Sequence, residues 1–506
     1  LLVDAVEGPM PQTFFVLKKA IAQNLKIIVV INKIDKRNSR CDWVVDQVFD
    51  LMVRLHAPDH ILDFPVVFAS AKEGYAVLDY QEEGHDIKPL FDAIIKYIPE
   101  PQGDDKAPLQ MLVSLLSYNP FLGRLAVGKI TSGSLNVNQD IAVTRDGINL
   151  EKARITKIYK FKINEMEEIP SAGVGNIVAV SGIEDVTMGE TITDPLNPIA
   201  MPYIEVDPPT ISMNFLPNDS PFSGRDGKFV TSNHLKERLL RELLSDAALK
   251  MEILTTEVGF KVSGRGELHL AVLIEKMRRE GYEMQVTRPK VIFEEKGGKR
   301  LEPYEELSVE IPDDCQGPVM EAIAERRGQM LDMRKENDMV YLEYRIPTRG
   351  LLGFRSEFMT LTRGMGVMNY MFMEYSDYVG EIKHRQNGVL ISCEAGETAG
   401  FALFNLQERG TLFLGPGQKI YMGQIIGVHS RNNDLTVNPS KGKKLTNMRA
   451  AGSDENIVFK TPKNMSLEDC LEFISDDELV EITPKVIRMR KKILDESGRK
   501  RDSRRG

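Results

Sequence analysis

Five consecutive β-branched residues, Ile27 to Ile31, run directly into Asn32-Lys33-Ile34-Asp35. A continuous Val/Ile run of strand length, bracketed by helical stretches at Thr13–Asn24 and Trp43–Leu55, suits a strand covered on both faces of a parallel sheet. A second run, Pro65 to Ala69, leads in the same way into Ser70-Ala71-Lys72. Both polar segments therefore fall at the C-terminal edge of parallel strands, which is where open α/β sheets bind ligands.

The chemistry of the two segments favours one base. A carboxylate at Asp35 can accept from the N1–H and the exocyclic amine of guanine, whereas adenine would face it with an acceptor nitrogen. Polar mismatches of this kind discriminate by about 10⁴ or more, and each charge-assisted hydrogen bond contributes roughly 1.5–3 kcal/mol. The Lys33 stem is expected to lie over the base with its ammonium in water, and the Ala71 N–H to donate to guanine O6. The candidate guanine-binding residues are Asn32, Lys33, Asp35, Ser70, Ala71 and Lys72.

Phosphate chemistry has no such support. The chain contains no GxxxxGK[ST], and Gly224-Arg225-Asp226-Gly227-Lys228-Phe229 has the wrong spacing, with Phe where a Mg²⁺-ligating Ser or Thr belongs, so it reads as a loop. The chain opens mid-strand at Leu1-Leu2-Val3-Asp4 without an initiator Met or signal peptide, and we read it as an N-terminally truncated fragment. The phosphate loop, the Mg²⁺ ligands and the water-positioning residue are expected upstream. No catalytic residue and no metal site is assigned to these 506 residues, and the fragment is expected to be inactive alone.

Composition narrows the class. No apolar run approaches the roughly 20 residues of a membrane span. Four cysteines, Cys41, Cys315, Cys393 and Cys470, lie too far apart for a metal knuckle and are too few for a disulfide framework, which points to a reducing, cytoplasmic location. A formal charge of −9 argues against a chain coated in nucleic acid and leaves room for local basic patches. At about 150 residues per domain, 506 residues imply three or four domains or more. Glycine-punctuated Val/Ile runs after the Pro99–Asp105 linker read as a small antiparallel barrel. From about 205 to 385 a βαββαβ order recurs twice, in the manner of ferredoxin-like units. In the first copy, one helix is expected to bury Leu240, Leu243, Leu244 and Ala247, and the other Leu270, Leu273, Ile274 and Met277.

Leu2-Val3-Asp4-Ala5 with Gly8 and Gln12-Thr13, then Asn32-Lys33-Ile34-Asp35 and Ser70-Ala71-Lys72, resembles the translational GTPases of the elongation factor G superfamily. Val262 to Leu270 is similar to their third domain, and the first ferredoxin-like unit runs straight into the second, a layout shared by the BipA/TypA and LepA families. Gly423 to Arg431 and Gly442 to Ala450 are similar to the C-terminal domain peculiar to BipA/TypA. The resemblance implies a multidomain α/β and β protein. Residues 1–102 would be the C-terminal part of a P-loop GTPase domain, 103–204 the translation-factor β-barrel, 205–295 and 296–385 two ferredoxin-like α+β domains, 386–490 a β-rich family-specific domain and 491–506 a basic tail.

It further implies GTP and GDP as ligands, with Mg²⁺ held in the full-length form. The expected partner is the ribosome, through rRNA and A-site tRNA, for a monomeric factor in large-subunit assembly and stress-adapted translation. Two alternatives carry different predictions: a non-hydrolysing rRNA-binding scaffold with a relic G domain, and a LepA-like back-translocation factor.

Five bases, Arg431, Lys441, Lys443, Lys444 and Arg449, fall in a polar stretch and form the candidate RNA-binding loop. The stretch Lys485 to Gly506, with ten bases against three acids, is expected to end in a disordered tail. His269 reads as a packing or helix-start residue. The methionines Met365, Met368, Met371 and Met373 read as core filling.

Overall fold

The computed structural model describes the chain apart from residues 120, 121, 146, 147, 164, 204–207, 337, 338, 383, 384, 386, 443–459 and 503–506. Two units, Leu1–Gly103 and Asp104–Gly506, separate within the linker foreseen at Pro99–Asp105. In the first, Leu2–Asp4, Val29–Asn32 and Val66–Ser70 lie side by side in parallel, and Tyr75–Val77 adds an antiparallel edge. The register aligns Asp4 with Asn32 and Asn32 with Ala69. Alternate residues of the central strand bury in opposite directions: Val29 and Ile31 meet Val44, Val48 and Leu51 of helix Cys41–Arg54, while Ile28 joins Val67, Ala69 and Ala93 on the other face. That two-sided burial is why the run is apolar throughout.

The second unit begins with an eight-stranded antiparallel sheet. Its order is Glu165–Ile169, Lys157–Lys162, Ile177–Ser181, Gly123–Ser132, Gln110–Asn119, Thr191–Thr193, Asp140–Arg145, Ile148–Arg154. Met111, Ile130, Ile141, Val178 and Ile192 converge on one core. Among the described residues the ladder is an open path rather than a closed barrel. Leu135–Asn136 and Ser171–Ala172 pair with each other instead of joining the main sheet.

Both ferredoxin-like units are present. Ile211–Pro217, Lys250–Ile253, Phe260–Gly264 and Met284–Val286 form a sheet in spatial order second, third, first, fourth. Lys299–Pro312, Gln329–Glu336, Met339–Pro347 and Val367–Asp377 repeat it. Helix Glu267–Glu280 buries Leu270, Leu273, Ile274 and Met277 as expected. Helix Ser232–Leu243 does not follow its expected stripe: it buries Leu235, Arg238 and Leu239, leaves Leu240 43% exposed, and ends before Ala247. Two helical registers share the Leu239-Leu240 pair, and the buried one lets Arg238 ion-pair with Glu242 and Glu280 at 2.7 and 2.6 Å.

The C-terminal segment is not a free-standing module. Glu478–Ile482 pairs with Met284–Val286, so the first ferredoxin-like sheet continues through Ile487–Lys491, Gln424–His429 and Val389–Ser392. Val389, Ile425, Val480 and Met489 share one core with Phe215 and Leu270. The basic stretch from Lys485 is structured as far as Asp502: Arg490 and Lys491 are 3% and 2% exposed within Ile487–Lys491, and Arg499–Arg501, expected to be disordered, lie in helix Glu496–Asp502, while Arg504 and Arg505 lie outside the described residues. The Lys491 ammonium lies 2.6, 2.7 and 2.8 Å from Asp434, Asp477 and Glu478, which supplies the countercharge a buried lysine requires. Among the described residues no helix is long and apolar enough to cross a membrane.

Candidate guanine-binding site

The two loops foreseen from sequence are tied together at the carboxyl ends of adjacent strands. Ser70, fully buried, donates from Oγ to Asp35 Oδ1 at 2.7 Å and accepts from the Glu73 N–H at 3.2 Å. Its hydroxyl is thus fixed from both sides. Asn32 Oδ1 accepts from the Ala71 N–H at 3.0 Å, and the Asn32 carbonyl accepts from Ala5 N–H at 2.8 Å. Lys33 adopts φ +69°, turning the chain so that Ile34 N–H reaches Ala69 O at 3.3 Å. The two loops therefore meet at one sheet edge, with Lys33, Asp35, Ala71 and Lys72 exposed, Asn32 half-buried and Ser70 buried beneath Asp35.

Electrostatics keep the site ionised. The Ser70 hydroxyl holds the Asp35 carboxyl below the ordinary range against a modest opposing effect of burial, aided by the charges of Lys72 and Lys36. Asp35 is exposed, so it presents a charged acceptor to solvent. Lys72 is also exposed and lies 3.3 Å from Glu73.

Two details differ from expectation. The Ala71 N–H, expected to point at guanine O6, is engaged by Asn32, because the strand register places that side chain beside it. The Lys33 ammonium, expected in open water, donates to Asp4 Oδ2 at 2.6 Å. Asp4 is the residue the sequence reading left without a role. Burial raises its carboxyl, but Lys33 and the N–H groups of Val6 and Glu7 outweigh this and bring it to about 2. The signal was available in the parallel register, which puts Asp4 level with Asn32.

The glycine loop at 224–228 is a loop, and its amides are already used. Gly224, Asp226 and Gly227 donate their N–H groups to the carboxylate of Glu283 at 2.8, 2.9 and 2.6 Å. Glu283 is fully buried and also accepts from Asn218 at 3.1 Å. An internal carboxylate thus occupies the position a phosphate would need. Among the described residues the one compact acidic cluster, Asp434, Asp477 and Glu478, is filled by the Lys491 ammonium, so Mg²⁺ does not fit there. His269 stands in the first turn of helix Glu267–Glu280, where its Nε2 lies 2.5 Å from Asp246 and its Nδ1 accepts from the Arg265 N–H at 3.3 Å.

Of the RNA candidates, Arg431 and Lys441 are exposed on either side of strand Leu435–Val437, where their side chains are free to meet solvent. Lys443, Lys444 and Arg449 lie outside the described residues.

A guanine-type loop pair on a parallel sheet, followed by an antiparallel sheet and two ferredoxin-like units, defines the class of translation-factor GTPases. The elongation factor Tu GTP-binding domain matches residues 1–100, its domain 2 matches 123–193, and the elongation factor G C-terminus matches 299–386. The TypA/BipA C-terminal domain matches 387–496. The large ribosomal subunit assembly factor BipA of Salmonella typhimurium is 50% identical over 506 residues, covering all of this chain and 83% of the relative. Those of Haemophilus influenzae and Synechocystis are 49% and 46% identical, over 100% and 97% of this chain and 82% of each relative. The chain belongs to the BipA family.

Proposed function

We propose that the full-length protein carrying these residues is a ribosome-binding translational GTPase that hydrolyses GTP to GDP and acts in large-subunit assembly and stress-adapted translation. The observation that supports it most directly is the knot of Asp35 on Ser70 and Asn32 on Ala71 at the edges of neighbouring strands. In this reading Asp35 accepts from the guanine edge, Ser70 holds that carboxylate in place, and Lys33, drawn to Asp4, lays its stem along the base. Asn32 keeps the second loop docked. Mg²⁺ would neutralise phosphate charge in the full-length protein, and its ligands are not among the residues assigned here. The 506 residues alone are expected to read the base without hydrolysing the nucleotide.

The C-terminal domain supplies the docking surface, through Arg431, Lys441, Lys443, Lys444 and Arg449, on rRNA near the A site and its tRNA. The protein works as a cytoplasmic monomer. Equilibrium binding of GDP and ADP to the full-length protein tests the nucleotide reading: a preference for GDP of about 10⁴ or more is expected, and equal affinities would overturn it. Ribosome co-sedimentation tests docking. Replacing Lys443, Lys444 and Arg449 by Ala should weaken binding and flatten its salt dependence, and unchanged salt-insensitive binding would remove that loop from the interface.

A further inference from the structure

The first ferredoxin-like sheet has one face committed to the core, through Ile211, Met213, Phe215, Phe260 and Val262. The intervening residues Ser212, Asn214 and Lys261 point the other way. On that side a cavity of about 170 Å³ opens where the sheet meets the C-terminal segment; Lys261, Arg288, Lys290 and Lys492 line it with one carboxylate, Asp476, and Lys261 also lies 3.7 Å from Glu252. Such a concentration of positive charge stands out on a chain whose formal charge is −9. It also draws on two segments far apart in sequence, so neither basic run discloses it.

Arg288 has the environment of a binding group rather than a structural one. Among the described residues its guanidinium makes no hydrogen bond and no close ion pair. Burial depresses its affinity for the proton, and the more distant Asp476 and Glu267 only partly offset this, with Arg385 adding repulsion. A partly desolvated cation with its donors unspent gains from an anion more than an exposed one does. Asp476 is committed to Lys290 at 3.1 Å, a pair exposed to water and easily exchanged. The lining offers no aromatic face on which a base could stack, and the volume is below the roughly 300 Å³ at which whole-ligand pockets begin. The cavity suits a single phosphate whose remaining structure lies outside.

We propose that this cavity seats one phosphate of an RNA backbone on Arg288, while Lys261, Lys290 and Lys492 on its rim follow the flanking phosphates. The proposal rests on the reading that the protein docks on RNA, and adds a second contact remote in sequence from the 431–449 loop. Contacts of this type fix orientation without reading sequence.

The test is fluorescence anisotropy of a labelled 20-nucleotide RNA with the full-length protein across a salt series. Variants are the surface pair Lys261→Gln/Lys492→Gln, the floor variant Arg288→Gln, and the loop variant with Lys443, Lys444 and Arg449 changed to Ala. Circular dichroism checks folding, and the surface pair keeps the test open if Arg288→Gln fails to fold. The pair should weaken binding about five- to tenfold at low salt and lower the log–log slope by about 0.7–0.9 per lysine removed. Inorganic phosphate should compete with RNA for the wild type more effectively than for Arg288→Gln. If wild type and loop variant behave as the docking reading expects while both cavity variants match wild type, the cavity assignment is overturned and docking survives. If the wild type binds no RNA, the docking reading fails with it. If the variants lose inorganic phosphate but keep RNA, the cavity serves a small phosphorylated ligand and the backbone assignment is wrong.

Discussion

Replacing Lys491 by Met removes the countercharge of three carboxylates while nearly preserving side-chain volume. The Lys491 side chain is 3% exposed, and its ammonium lies within 2.8 Å of Asp434, Asp477 and Glu478. At an effective dielectric of about 20, a single pair at that distance is worth about 6 kcal/mol of gross attraction. Desolvation consumes most of it, and removing one partner of such a cluster costs about 3–5 kcal/mol. Arg385, at 2.9 Å from Glu478, would still answer one acid. With a urea slope of about 3 kcal/mol per molar, the unfolding midpoint of the second unit should fall by about 1 M or more.

Far-UV circular dichroism of the full chain would report this transition. The only tryptophan, Trp43, lies in the first unit, so its fluorescence transition should stay in place and serve as an internal control. The three acids, whose oxygens fall within 4.8 Å of one another, should then accept Ca²⁺, and millimolar Ca²⁺ should recover part of the lost stability. A loss below about 1 kcal/mol, or an equal shift of the Trp43 transition, would refute the reasoning.

Burial, with the charge of Glu472 adding to it, pushes Glu267 up from 4.5 to about 8. The folded chain therefore keeps a proton that the unfolded chain releases, and stability falls as pH rises from about 4.5 to 8. A shift of about 3.5 units sets a ceiling of about 5 kcal/mol; since Glu472 shares the charge, Glu267→Gln should stabilise by about 1–3 kcal/mol at pH 8.5 and not at all at pH 4, read from urea midpoints. The Lys491 cluster runs oppositely at the acid end. Burial alone would raise Glu478, but Arg385 and Lys491 outweigh it and hold it low, so its contribution is present above about pH 4.5 and disappears below it. Glu283→Ala should destabilise by about 3–5 kcal/mol, because three backbone N–H groups lose their acceptor in a buried loop; a loss under 1 kcal/mol in denaturant titration would show that water replaces it.

The site was legible where its determinants are local. A strand run and the turn that follows it adjoin in sequence, so Asn32 to Asp35 and Ser70 to Lys72 could be placed without a structure. The partner of Lys33 was less so, since Asp4 reaches it only through strand register. Least legible was the continuation of the sheet from Val286 to Val480, and the buried polar contact of Asn218 with Glu481, 263 positions apart. No periodicity within either segment reports such a pairing. The same distance hides the partners of Arg490, whose Asp219 and Gln285 lie 271 and 205 positions away. In helix Ser232–Leu243 the ambiguity was of another kind, because adjacent leucines permit two amphipathic registers and the ion pairs of Arg238 select between them.

The central claim is that the Asp35 carboxylate reads guanine. Asp35→Asn in the full-length protein keeps an acceptor for N1–H and adds an amide donor that matches the second carbonyl of xanthine. Titration with GDP and with xanthosine diphosphate should show GDP affinity falling and the preference reversing, by a factor on the order of 10² or more. Retention of the wild-type GDP preference in a folded Asp35→Asn protein would contradict the account.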